Sequence, residues 1–273
     1  MLIFKMNTLK SIHIILILYF VSSVNAQETT LMDSVDQAIQ KATMWLVSDK
    51  DHLRPETYIL YELLERKFNA PPVCNKEEYF EYIQKDSVRF KKIYPFLRLA
   101  YPDIPFRNDI FRRIRNEMDL ITLQPIWSDQ IEIDTNTLFR TYREHLERGG
   151  YLMTHVFLNG LFFREQNHGI CRSPEFLQLE MTAEKKLRTY IVENPYPGDI
   201  TIEAYCFLTF DDKISIKDYV SFIRKLVQIQ LDNGAWYYDQ FRAVEEQHTV
   251  ILALWLLYEF RYPDALNVKW IQH

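Results

Sequence analysis

Glycine and cysteine are scarce in this chain, with six glycines and three cysteines among 273 residues. Cys74, Cys171 and Cys206 are too few to staple a small scaffold, which excludes a disulfide-built fold. Spacing alone pairs none of them. The sequence has no glycine-rich phosphate loop, no GxGxxG, no GxSxG and no HExxH, so the common nucleotide, hydrolase and zinc-protease signatures are missing. Sustained period-two alternation between hairpin turns is also missing, and sheet is therefore expected to be minimal. Nor is there a basic excess. The net charge of −5 at pH 7 disfavours nucleic acid or an anionic membrane surface as a partner. The basic run at Arg112, Arg113 and Arg115 reads as a solvated helix face.

What is present begins with a leader. Lys5 and Lys10 precede the apolar run Ile12 to Val21, and Val24-Asn25-Ala26 offers small residues for cleavage before Gln27. Residues 1–26 read as a secretory signal peptide, with Met6 an alternative start, and 27–273 as one domain of an exported, periplasmic or secreted protein. The apolar run is short for a membrane span, so no membrane contact is expected after cleavage. Losing Lys5 and Lys10 with the leader takes the net charge from −5 to −7.

Beyond the leader the apolar spacing is helical. Val35, Ala38, Ile39, Ala42, Trp45 and Leu46 mark an amphipathic helix over about 31–47. Pro55 opens a more apolar partner, residues 76–92 read as mostly helical, and 93–100 as a short inner element. Periodicity weakens from Arg107 to Trp127, which reads as an insertion or capping segment whose residues 120–127 form an apolar connection. Asp134 then looks like an N-cap for a helix stopped by Gly149-Gly150. Ser173-Pro174 starts another outer helix, and Ser215-x-x-Asp218 resembles a capping box. Three stretches are apolar nearly all round: Tyr151 to Phe163, Ile200 to Phe210 and Val250 to Phe260. A helix of that kind has to be covered on every side, so these are inner helices.

The joint between the last two helices carries a resemblance. Gln230-x3-Gly234-x-Trp236, with Phe222 upstream and His248-Thr249 opening the final apolar helix, resembles the QW motif of terpenoid cyclases and related α/α-toroids. The likeness covers the hairpin from Phe222 to Phe260. It implies an all-α fold, an α/α-toroid of about five to six helical hairpins with inner helices around a cavity, with an open α-solenoid as the alternative. The DxDD and DDxxD motifs are absent, so the resemblance concerns the fold and not cyclisation.

Parallel inner helices would bring their first turns to one mouth, and those turns hold Thr57, Thr154, His155, Glu203, Glu246, His248 and Thr249. The recurrence is regular. His155, Glu203 and His248 lie 48 and 45 residues apart, a two-helix period. These three are the candidate catalytic residues, because Glu203 with either histidine could form an acid–base pair if burial moved the pKa values towards neutrality. Helical spacing puts Leu252 and Trp255 on the face of His248, and Asn159 and Phe162 on that of His155, which suggests an aromatic wall below a polar rim. Trp236, Tyr237, Trp255, Glu246 and Thr154 are the candidate ligand-binding residues.

Lanthionine synthetase toroids and protein prenyltransferases resemble this pattern in placing Cys and His at the cavity. His168-x2-Cys171 with Cys206, His155 and His248 could complete a zinc shell, but the ligand motifs of those families are not reproduced, and no cofactor is expected. The expected ligand is a small polar molecule or glycan. The alternative is a non-catalytic interaction module whose cavity is filled with Phe and Tyr.

Overall fold

The computed structural model describes residues 30–85 and 87–272 and is all-α apart from one two-stranded hairpin. The leader-like segment lies outside the described residues. Helix α1 spans 30–48 and buries Val35, Ala38, Ala42 and Leu46, one face of an amphipathic helix. Then come α2 (Pro55–Phe68), α3 (Lys76–Lys85), α4 (Ser87–Ile93) and the 3-10 helix Tyr94–Leu99. They are followed by α5 (Asn108–Phe111), α6 (Glu117–Ile126), α7 (Thr135–Arg148), α8 (Tyr151–Glu165) and α9 (Pro174–Glu193). The chain finishes its helices with α10 (Asp199–Phe210), α11 (Ile216–Gln228) and α12 (Gln247–Arg261).

Local signals set most of the boundaries. The Asp134 carboxylate accepts from the Asn136 and Thr137 amides at the start of α7, and Gly149 and Gly150 follow its end at φ +71° and +61°. Ser173 caps α9 through the Phe176 amide, and Pro174 takes the first helical position, where a missing N–H costs nothing. At α11 the Asp218 carboxylate reaches back to the Ser215 amide at 2.8 Å.

The inner helices touch one another in a closed cycle. α2 packs on α12, α12 on α10, α10 on α8 and α8 on α6; α6 meets the 3-10 helix 94–99, which returns to α2. Outside them, α7 lies on α8 and α9, α9 on α8 and α10, and α11 on α12. The apolar run in α12 is buried as its composition requires, with every residue from Val250 to Tyr258 at most 4 % exposed. The buried Lys67–Glu259 ion pair, 2.6 Å long, ties α2 to α12. Asn267 accepts a further bond from the ammonium and the Trp255 indole donates a further one to the carboxylate, which offsets part of the cost of burying the pair.

The joint after α11 fastens α1 to the last helical hairpin. Gln230 Nε2 donates to Ala38 O in α1 and to Gly234 O, each at 3.0 Å, while the buried Trp236 indole donates to Leu226 O at 2.8 Å. Gly234 stands at φ +96°, and a Cβ there would come within 2.3 Å of Lys41 O. Both the turn and the close approach of α1 require glycine.

One expectation needs correcting. The segment 107–127 is no insertion, because its second half is α6, a member of the inner cycle against α8. Its period is hard to see because it has only ten residues, contains Pro125 and is covered on several sides. Between Trp236 and α12 lies the one hairpin among the described residues, β1 (Tyr237–Asp239) pairing antiparallel with β2 (Arg242–Glu245), in keeping with minimal sheet.

Candidate functional site

The cycle of helices encloses an open cavity of about 680 Å³. His155, Glu203 and His248 all line it, from α8, α10 and α12, each on the first or second turn of its helix. Around them stand Glu56 and Lys92, both exposed, with half-buried Asp119 and Tyr151. Deeper in, the wall is apolar: Ile59, Leu99, Leu158, Phe162, Phe207, Leu252 and Trp270 are all buried. Polar groups thus mark the solvent side of the cavity and aromatic ones its floor.

The two histidines sit in different environments. His248 Nδ1 lies 2.9 Å from Asp199 Oδ2, and the Asp199 side chain is 1 % exposed. Asp199 Oδ1 accepts from Thr249 Oγ1 at 2.5 Å, and Oδ2 also takes the Tyr151 hydroxyl, which in turn lies 3.1 Å from the Tyr238 hydroxyl. Burial works against charging His248, but the hydrogen bond and charge of Asp199 outweigh it and raise its pKa to about 9. Burial likewise resists ionisation of Asp199. The His248 bond and charge, with the bonds from Thr249 and Tyr151, prevail and hold the carboxyl below its usual range. Burial and the Asp199 charge push the Tyr151 phenol up. At neutral pH this is an ion pair with a phenol and a hydroxyl bonded to its anion.

His155 has no such counter-ion. Burial, followed by the charges of His248 and His145, lowers its pKa to about 4, so the ring is neutral. Its Nδ1 lies 2.8 Å from Thr122 Oγ1. That hydroxyl gives its hydrogen to Met118 O at 2.8 Å, so towards the ring it accepts. The proton therefore belongs on Nδ1, and Nε2 presents a lone pair towards Glu203 Oε1, 3.9 Å away. Burial drives the pKa of Glu203 up to about 8 against the opposing charge of His248, which leaves the carboxyl largely protonated at neutral pH. Glu203 Oε2 has no hydrogen-bond partner among the described residues. Burial, then Glu56, also raises the Asp119 pKa.

Burial brings Glu203 up towards neutrality as expected, whereas the expectation for the histidines is corrected, since the two move away from neutrality in opposite directions. A neutral imidazole faces a protonated carboxyl, and a second imidazole is held as the cation. Chemically, the arrangement offers one acceptor at His155 Nε2, one charge-assisted donor at His248 Nε2–H and an acid at Glu203.

The other candidates lie elsewhere. Trp236 is fully buried at the joint after α11, Tyr237 is exposed on β1, and Glu246 precedes α12 and pairs with Arg54. Thr154 is buried, and its hydroxyl donates to Tyr151 O at 2.8 Å. Trp255 is one layer behind the wall: its ring centroid lies 5.2 Å from that of Trp270, the residue that does face the cavity. Asn159 too is buried outside the lining. The zinc candidates are not gathered. His168 accepts from the Ile170 amide in a loop, Cys171 sits in the following 3-10 turn, and Cys206 donates to Leu252 O inside the core. Among the described residues no group of three or more His, Cys, Asp or Glu side chains is placed to hold a metal ion.

Sequence reasoning misses Asp199, Tyr151 and Thr122. A signal for two of them was there: Tyr151 precedes His155 by one helical turn, as Asp199 precedes Glu203, and both pairs recur at the same 48-residue interval. Thr122 carries no comparable mark. No helix among the described residues is long and apolar enough to cross a membrane. Searches against protein-family models, curated proteins and solved structures return no match to this chain.

Proposed function

We propose that the chain is an exported α/α-toroid that takes a small ligand into its central cavity and holds one hydrogen-bonding group of that ligand among His155, Glu203 and His248. The observation that carries this reading is the meeting of three residues, spread from position 155 to 248 on three helices, at the polar end of one open cavity of about 680 Å³. A volume of that size suits a small molecule. The closed contact cycle of the inner helices supports the toroid, because an open solenoid would leave α2 and α12 at opposite ends. Protonated Glu203 and neutral His155 also supply the two halves of an acid–base pair. An interaction module with a plugged cavity is the weaker reading, since the aromatic side chains line the space without filling it.

The test is a thermal-shift screen of small molecules and glycan fragments, with the combined variant His155→Ala, Glu203→Ala, His248→Ala as control. A ligand at about 100 times its Kd should stabilise the wild type by about 2.7 kcal/mol and leave the variant unmoved. A shift of equal size in the variant would place binding elsewhere.

A further inference from the structure

The cavity is graded along its axis, and the grading describes the shape of what fits. On α8 the lining runs from His155 through Leu158 to Phe162, on α10 from Glu203 to Phe207, and on α12 from His248 to Leu252, with Trp270 across the floor. Seven residues separate His155 from Phe162, a depth of about 10 Å at 1.5 Å per residue. Apart from the Trp270 indole N–H, which has no partner among the described residues, the residues named on this lower wall carry no side-chain polar group, so a free sugar would leave most of its hydroxyls unpaired, at a cost for each one buried.

The polar end is equally selective. Its one ion pair, His248 with Asp199, is internally compensated, and neither His155 nor Glu203 has a counter-ion of its own. His248 is the cation of the polar end and Asp199 already compensates it, so a carboxylate would share a partner that is already paired and an ammonium would find none. The charged rim residues Glu56 and Lys92 remain solvated. The gap between His155 Nε2 and Glu203 Oε1 is 3.9 Å, so a single atom can lie within hydrogen-bond distance of both. His155 Nε2 calls for a donor and His248 Nε2–H for an acceptor. A hydroxyl oxygen is both at once, whereas a carboxylate lacks the donor and an ammonium lacks the acceptor.

Resting on the cavity reading, we propose that the ligand is a neutral alcohol whose hydroxyl sits among His155, Glu203 and His248 and whose apolar body runs down to Trp270. Any further hydrophilic part of the molecule extends past the rim into water.

Octanol, octanoate, octylammonium and methyl glucoside are the probes, titrated at pH 7 into the whole protein and followed by thermal shift. The same titrations are followed by the nitrogen–proton signals of the Trp270 indole and the His155 ring. Octanol should bind at least about tenfold more tightly than either charged octyl compound, because each of those buries a charge with no ion-pair partner of its own. Affinity along butanol, hexanol and octanol should climb by up to about fourfold per methylene until the tail fills the depth. Equal or tighter binding of octanoate or octylammonium, with the Trp270 and His155 signals moving, would overturn the alcohol and leave the cavity reading standing. Methyl glucoside binding as well as octanol would overturn the apolar body. Signals of Trp270 and His155 that no probe moves would sink the cavity reading itself.

Discussion

The two sides of the cavity mouth hold the same side chain in opposite states. On the α6–α8 side His155 is neutral and leans on a threonine; on the α10–α12 side His248 is charged and leans on a buried aspartate. Both rings are partly enclosed, at 20 % and 25 % exposure, so burial alone does not separate them. The nearest oxygen does. A hydroxyl already committed to Met118 can only accept the ring proton, whereas a carboxylate stabilises the imidazolium by charge as well. Two like residues on the wall of one cavity thereby become an acceptor and a donor.

Asp199→Asn would break this contrast most severely. It strands the His248 charge and weakens the bonds from Thr249 and Tyr151, for a loss of about 3 to 5 kcal/mol in urea melts at neutral pH. The His248 pKa, read by NMR, should fall from about 9 towards the value of His155. A His248 that still titrates near 9 in this variant would show that the charge has another source.

A smaller effect is expected from pH. Glu203 is raised from 4.5 to about 8, so below pH 4.5 both folded and unfolded states hold its proton. Above 4.5 only the unfolded state readily releases it, and stability falls as pH rises towards 8. His248 adds to the loss between 6.5 and 9, while His155, lowered to about 4, works the other way between 4 and 6.5. Glu203→Gln removes the first contribution. The variant should lose less stability than the wild type between pH 5 and 8, the difference being on the order of a few kcal/mol. Parallel stability curves for the two proteins would mean that Glu203 ionises normally.

Thr122→Val should have the least effect, about 1 to 3 kcal/mol, since it removes two neutral hydrogen bonds, those with Met118 O and His155 Nδ1. Its diagnostic value is in the tautomer. Without the acceptor the His155 proton is free to move to Nε2, which nitrogen chemical shifts report directly. A ring that keeps its proton on Nδ1 would remove Thr122 from the site.

Legibility in the sequence follows the same division. The inner helices α8, α10 and α12 were readable because eight or more nearly continuous apolar residues leave few alternatives, and the recurrence of His155, Glu203 and His248 followed from their period. Short α6 was not, since ten residues with an internal proline give too few turns to show a face. Trp255 was placed on the right face and the wrong layer. A helical wheel gives direction but not depth, and Trp270, from the irregular segment after α12, stands in front of it. The opposite states of the histidines depend on partners 33 and 49 residues away, which no local pattern contains.

The Gln230 clasp onto Ala38 has a consequence for how the chain acquires its shape. It spans 192 positions, as does the Lys67–Glu259 pair, so the contacts that shut the ring join regions made far apart in time during synthesis. A linear stack of repeats can grow from one end, each unit resting on the last. Here α1 and α2 wait with apolar faces uncovered until α11 and α12 exist, and bringing such distant segments together is slow because chain entropy is lost before the contacts form. The vulnerable moment of this protein is therefore the interval before closure, when a half-built ring exposes the surface that its last helix will cover.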